Sequence, residues 1–209
     1  MTLPSDDQLW EDGLDASGNG RILILACGAL AHEIVAITRQ LDHIDLQCLP
    51  AILHNHPERI VPAVREAVAR TTGYDHIFLA YADCGTGGQL AEAAKELGIE
   101  MMPGPHCYAF FQGTEDFMQK AGEEFTAFYL TDFLVRQFEA FVWKPLGLDR
   151  HPELRDSYFS HYEKLVYQAQ TQDAALKAKA EDCAKRLGLV FEYRFTGFGD
   201  LETALKNLG

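Results

Sequence analysis

Positive charge is scarce in this sequence. Its 209 residues carry 18 Lys and Arg against 31 Asp and Glu, a net charge of −13. Phosphate binding needs clustered cations, so no nucleic-acid partner and no anionic membrane surface is expected. Long apolar runs are missing as well, and none reaches the ~18 residues of a membrane span. The first twenty residues lack the basic and apolar regions of a secretory leader, so a cytoplasmic location is expected. There is no internal repeat, no low-complexity stretch and no Cys-x-x-Cys pair. The five cysteines are odd in number and are not spaced as a disulfide framework. Metal ligation, nucleophilic chemistry and core filling are the roles left for them.

A hydrophobic fraction of 47% is enough for a sizeable core. Apolar runs predict strands over 21–26, 44–49, 76–81 and 99–102. Between them, apolar residues at helical spacing predict helices over 29–41, 58–71 and 89–97. This alternation signals a parallel sheet built from right-handed crossovers. A fifth strand is expected over 125–130 and a sixth over 189–195. Helices are expected over 133–142, 153–170, 173–187 and 201–208. The predicted fold is three-layer α/β, an open, mostly parallel sheet with Rossmann-like crossovers. Residues 1–20 read as a polar arm, and 21–209 as a single domain with a helical insertion over about 133–187.

In open parallel sheets, ligands bind beyond the carboxyl ends of the strands. Cys27, Cys84, His106 and Cys107 each follow a strand, and His54 and His56 follow another by a short loop. Thiolate and imidazole suit zinc or iron, so Cys27, Cys84, His106, Cys107 and His54 are the candidate metal ligands. Core packing is the competing role for the thiols; Cys48 and Cys183, inside elements, are read as core. The stretch Asp83-Cys84-Gly85-Thr86-Gly87-Gly88 joins a strand to a helix. Its amides, at Gly85, Thr86 and Gly87, are candidates to cradle an anion, although no Lys or Arg lies in the loop. Cys84 and His106 are candidate nucleophile and base, and Asp83 a candidate orienting carboxylate. Tyr108, Phe110 and Phe111 could wall a pocket, with core as the bland reading. Thr131, Asp132, Gln168 and Gln170 are weaker candidates to line the same edge.

Six motifs form a recognisable set. They are Ala26-Cys27-Gly28-Ala29, Leu53-His54-Asn55-His56-Pro57-Glu58, the Tyr81-to-Gly88 loop, Pro103-Gly104-Pro105-His106-Cys107-Tyr108, Tyr129-Leu130-Thr131-Asp132-Phe133 and Gly147-Leu148-Asp149. Together they resemble the uncharacterised family known as domain of unknown function 1638. The resemblance implies a setting beside corrinoid-dependent methyltransferase systems, and so one-carbon metabolism. Methyl transfer to a thiol commonly uses a zinc held by Cys and His, an analogy of chemistry only.

The expected function is therefore a Cys/His metal-binding enzyme of one-carbon metabolism, with a small-molecule substrate and a corrinoid protein or methyltransferase as partner. One alternative is a non-catalytic accessory module holding a metal or a corrinoid protein. Another is a metal-free enzyme using Cys84 as nucleophile and His106 as base.

Overall fold

The structure is a computed structural model and describes residues 3–120, 122 and 124–208. The chain forms two compact units, Met1–Phe110 with Asp200–Gly209, and Phe111–Gly199. Each has its own parallel sheet, so the α/β class holds while the strands divide into two sheets.

The first unit opens with helix α1, Asp6–Glu11, capped by the Ser5 hydroxyl on the Gln8 amide. Leu9 and Trp10 of this helix are buried, and Leu14 pairs backbone to backbone with Cys48. Asp45 accepts from the Ser17 hydroxyl, the Asn19 and Gly20 amides and Tyr74. The segment expected to be an arm is thus part of the core, because two apolar side chains and one buried carboxylate anchor it.

Strand β1 is Ile22–Cys27, followed by helix α2, Ala31–Thr38. Then come β2, Ile44–Leu49, helix α3, Ile60–Arg70, and β3, His76–Ala80. Helix α4, Gln89–Leu97, leads to the two-residue strand β4, Glu100–Met101, and then to helix α5, Cys107–Gln112. The sheet order is β2-β1-β3-β4, all parallel. β1 is buried along nearly its whole length, as a strand covered on both faces requires.

Gly28 directly follows β1. A Cβ there would lie 2.4 Å from the Leu9 carbonyl oxygen and 3.2 Å from that of Leu49. Both are backbone atoms and cannot swing aside. Gly28→Ala is expected to cost about 1–3 kcal/mol of stability, the range for overpacking. Amide-exchange protection over residues 22–27 and 44–49 equal to wild type would show that α1 does not press on this turn.

The second unit contains helix α6, Thr114–Lys120, strand β5, Ala127–Leu130, and helix α7, Asp132–Arg136. Helix α8, Arg155–Phe159, strand β6, Lys164–Ala169, helix α9, Ala174–Leu187, and strand β7, Val190–Phe195, complete it. The order is β5-β6-β7, again parallel. Helix α10, Gly199–Lys206, runs into the first unit's carboxyl-terminal segment.

The helix expected over 153–170 forms only over 155–159, as α8. Its second half is β6, the central strand of this sheet. Leu165-Val166-Tyr167 is a short apolar run whose periodicity fits a buried helix as well as a buried strand. Burial on both faces decides for the strand.

At the carboxyl end of this sheet Asp132 is 1% exposed. Its carboxylate accepts from Tyr167 Oη at 2.7 Å, from the Gln170 and Thr171 amides at 3.0 Å, and from Thr171 Oγ1 at 2.6 Å. The Gln170 side-chain oxygen accepts from the Asp132 amide at 2.7 Å. These residues tie β5 to β6. Gln168 is buried too, and its Nε2 donates to Gln112.

Candidate active site

The first unit's sheet order sets β3 between β1 and β4, so the segments leaving β3 and β4 run side by side. Their backbones stay paired past the strands. The Asp83 amide donates to the Gly104 carbonyl, and the Cys84 amide to that of Pro105, each at 3.0 Å. This register sets the Cys84 and Cys107 sulfurs 3.5 Å apart. Both are nearly enclosed, at 4% and 8% exposure. Cys84 also has φ of +46°, the one non-glycine residue at positive φ among the described residues. A left-handed β-carbon-bearing residue is strained by about 1–3 kcal/mol and persists where its surroundings enforce it.

The loop after β2 closes on the same place. A Cβ on Gly85 would stand 3.3 Å from the Pro57 ring, which puts His54-Asn55-His56-Pro57 against the Cys84 turn. His54 hydrogen-bonds Cys84. His106 lies within electrostatic range of Cys84 and Asp83 and stacks on Tyr108 with ring centroids 4.9 Å apart. The imidazole bonded to the sulfur is therefore that of His54, where the sequence offered His106 as base. His56 points away to Glu58 at 3.7 Å.

The five thiols differ sharply in acidity. Cys84 is held well below the usual thiol range, first by the hydrogen bond from Cys107, then, against the opposing effect of burial, by the hydrogen bond and charge of His54. Cys107 is pushed well above that range by donating to Cys84 and by burial. Within the pair, Cys84 is therefore the sulfur that gives up its proton more readily and Cys107 the one that keeps it. Burial raises Cys27 to about 12 and Cys183 to about 11, and lifts Cys48 well above its ordinary value. Burial pulls His106 down, so that it stays neutral more readily than a solvated imidazole.

Asp83 has a different job from orienting a histidine. Its carboxylate accepts from Thr86 Oγ1 at 2.7 Å, the Gly87 amide at 3.1 Å and the Gly88 amide at 2.7 Å. Burial works to raise this carboxyl, but these bonds and that of the Gly85 amide hold it below the usual range. The anion cradle expected at Gly85, Thr86 and Gly87 is thus occupied by the chain's own carboxylate at the start of α4.

Among the described residues, no group of three or more His, Cys, Asp or Glu side chains is arranged to hold a metal ion. The structure brings Cys107 and His54 each against Cys84, with His106 nearby, but not the expected five-residue ligand set. Cys27 stands at the end of β1 as a neutral buried thiol. Phe110 and Phe111 are core. Asp132 and Gln170 are spent on each other in the second unit.

Tyr81 was missed as a candidate. It is 1% exposed, and among the described residues its hydroxyl finds only the Cys27 sulfur as a partner. Its electrostatic neighbours are Cys27, Cys84 and Cys107, with the Cys27 thiol foremost. Its place at the head of the motif was the available signal, but a tyrosine ending a buried strand also reads as packing. A cleft of about 760 Å³ lies beside α4 and β4, lined by Asp83, Ala91, Met101, Met102 and Pro105 among others. No thiol lines it. It meets the site through Asp83 and Pro105.

Fold and site together define a parallel α/β protein with a buried thiol pair beyond the carboxyl ends of its strands. Residues 48–205 match the family described as "Protein of unknown function (DUF1638)", and the chain belongs to that family. The match includes His54, Cys84, His106 and Cys107, and leaves Cys27 outside. No curated protein and no solved structure matches the chain. Among the described residues, no helix is long and apolar enough to cross a membrane.

Proposed function

We propose that this protein is an enzyme whose nucleophile is the Cys84 thiolate, acting on a small electrophilic substrate. The observation that carries the reading is the 3.5 Å contact between the Cys84 and Cys107 sulfurs, in which a proton on one stabilises a thiolate on the other. Cys84 attacks an electrophilic carbon, a carbon–sulfur bond forms, and the leaving group departs with its electron pair. Cys107 positions the attacking sulfur, and His54, hydrogen-bonded to that sulfur, is placed to pass a proton to the leaving group. A one-carbon group is the substrate class carried forward from the family's setting, with a corrinoid protein or methyltransferase as the partner.

Brief exposure of the whole protein to methyl iodide, followed by peptide mapping, tests this. Cys84 is expected to carry most of the early label, with the other four cysteines at least about tenfold slower, since each unit of pKa difference is tenfold in thiolate. Equal, slow labelling at all five would remove Cys84 from the nucleophile's role. Stoichiometric zinc or iron in the purified protein, lost in Cys84→Ser, would replace the free-thiolate reading with the metal one.

A further inference from the structure

We propose that Cys84 and Cys107 are also a peroxide-reactive pair that closes to a disulfide, so that this edge of the sheet performs a two-electron redox reaction. The proposal rests on the reading above in one respect, that Cys84 is the attacking sulfur.

Three features point this way. The first is proximity. A disulfide needs sulfurs about 2.05 Å apart, and these stand at 3.5 Å. The paired segments 83–84 and 104–105 keep both residues in place, and Gly85 and Gly104, at φ of +85° and +157°, flank them with freedom to adjust. The second is enclosure. At 4% and 8% exposure neither sulfur is open to a bulky disulfide, so the oxidant must be as small as a hydroperoxide. The third is Tyr81. Among the described residues its buried hydroxyl has thiols for neighbours, and its one acceptor is the Cys27 sulfur. Sulfur accepts hydrogen bonds weakly. An oxygen placed on Cys84, or a peroxide oxygen leaving it, is a stronger acceptor for this donor.

The chemistry balances. The Cys84 thiolate attacks the hydroperoxide, a sulfur–oxygen bond forms, and the oxygen–oxygen bond breaks. The sulfur is oxidised by two electrons to a sulfenic acid, and the departing alkoxide or hydroxide takes a proton. The Cys107 thiol then attacks Cys84 Sγ. A sulfur–sulfur bond forms, and hydroxide leaves, taking the Cys107 proton as water. Two thiols and one hydroperoxide become a disulfide, an alcohol or water, and a further water.

The test is one equivalent of hydrogen peroxide on the whole protein, then intact mass and non-reducing peptide maps. Wild type is expected to lose about two daltons and two free thiols, with Cys84 joined to Cys107, and dithiothreitol to reverse it. Cys107→Ser should instead stop with a single oxygen on Cys84, captured by dimedone. Tyr81→Phe should slow the first step by about tenfold, the worth of one hydrogen bond. Oxidation of wild-type Cys84 alone to the sulfinic acid, with Cys107 free, would overturn the pair yet leave the nucleophile standing. A bond from Cys84 to Cys27 would overturn the assignment of Cys107. A Cys84 inert to both peroxide and methyl iodide would end both readings.

Discussion

Asp132→Ala is expected to destabilise the second unit by about 3–4 kcal/mol, on a scale of about 1–3 for each buried donor left without a partner. Tyr167 Oη, two backbone amides and the Thr171 hydroxyl all donate to this carboxylate. Alanine removes the acceptor and leaves the donors enclosed. Asparagine keeps one oxygen, but turns an N–H₂ toward the Thr171 donors, so Asp132→Asn should fall between alanine and wild type. With two compact units, a single unfolding midpoint is a poor readout. Amide exchange at 127–130 and 164–171 is the better one. Unchanged protection there in Asp132→Ala would show that the carboxylate does not hold β5 to β6.

The second large effect is on the charge of the thiol pair. In wild type, labelling of Cys84 should already be near its plateau at neutral pH, because the first proton of the pair leaves easily. The second is retained well above the ordinary thiol range. His54→Gln keeps a hydrogen-bonding side chain and removes the electrostatic support of the imidazole. Labelling of Cys84 at neutral pH should slow by about tenfold or more, as when an opposite charge beside an ionised group is lost, and the profile should move to higher pH. An unshifted profile would mean that Cys107 alone holds the thiolate.

Stability follows the same signs. Cys84 is depressed, so its contribution is full above the unfolded thiol value of about 8.5 and is lost as pH falls through its folded value. Cys27 and Cys107 are raised, so theirs is full below the unfolded value. It is lost as pH climbs toward their folded values, about 12 for Cys27.

Much of the first unit was legible because its three longer strands are rich in apolar residues and bounded by turn residues. Residues 22–27, 44–49 and 76–80 fall where the pattern put them. The convergence of Cys84 and Cys107 followed from parallel strands alone. Which histidine would reach the sulfur did not. That depends on how the short turns at 51–59 fold back against Gly85, a tertiary contact with no periodic signature. The β6 strand was hidden for a related reason: a run buried on both faces shows no alternation. Asp83 and Asp132 were read as site residues because a carboxylate after a strand is ambiguous. The same placement serves a ligand or the amides of the chain itself, and the number of donors around each decides for the amides.

The turn between β3 and α4 therefore carries a built-in blocker. Asp83 sits where a phosphate or sulfate would otherwise settle, one position before the reactive sulfur. On the reading proposed above for Cys84, this carboxylate favours an uncharged electrophile at the neighbouring sulfur over an anionic one.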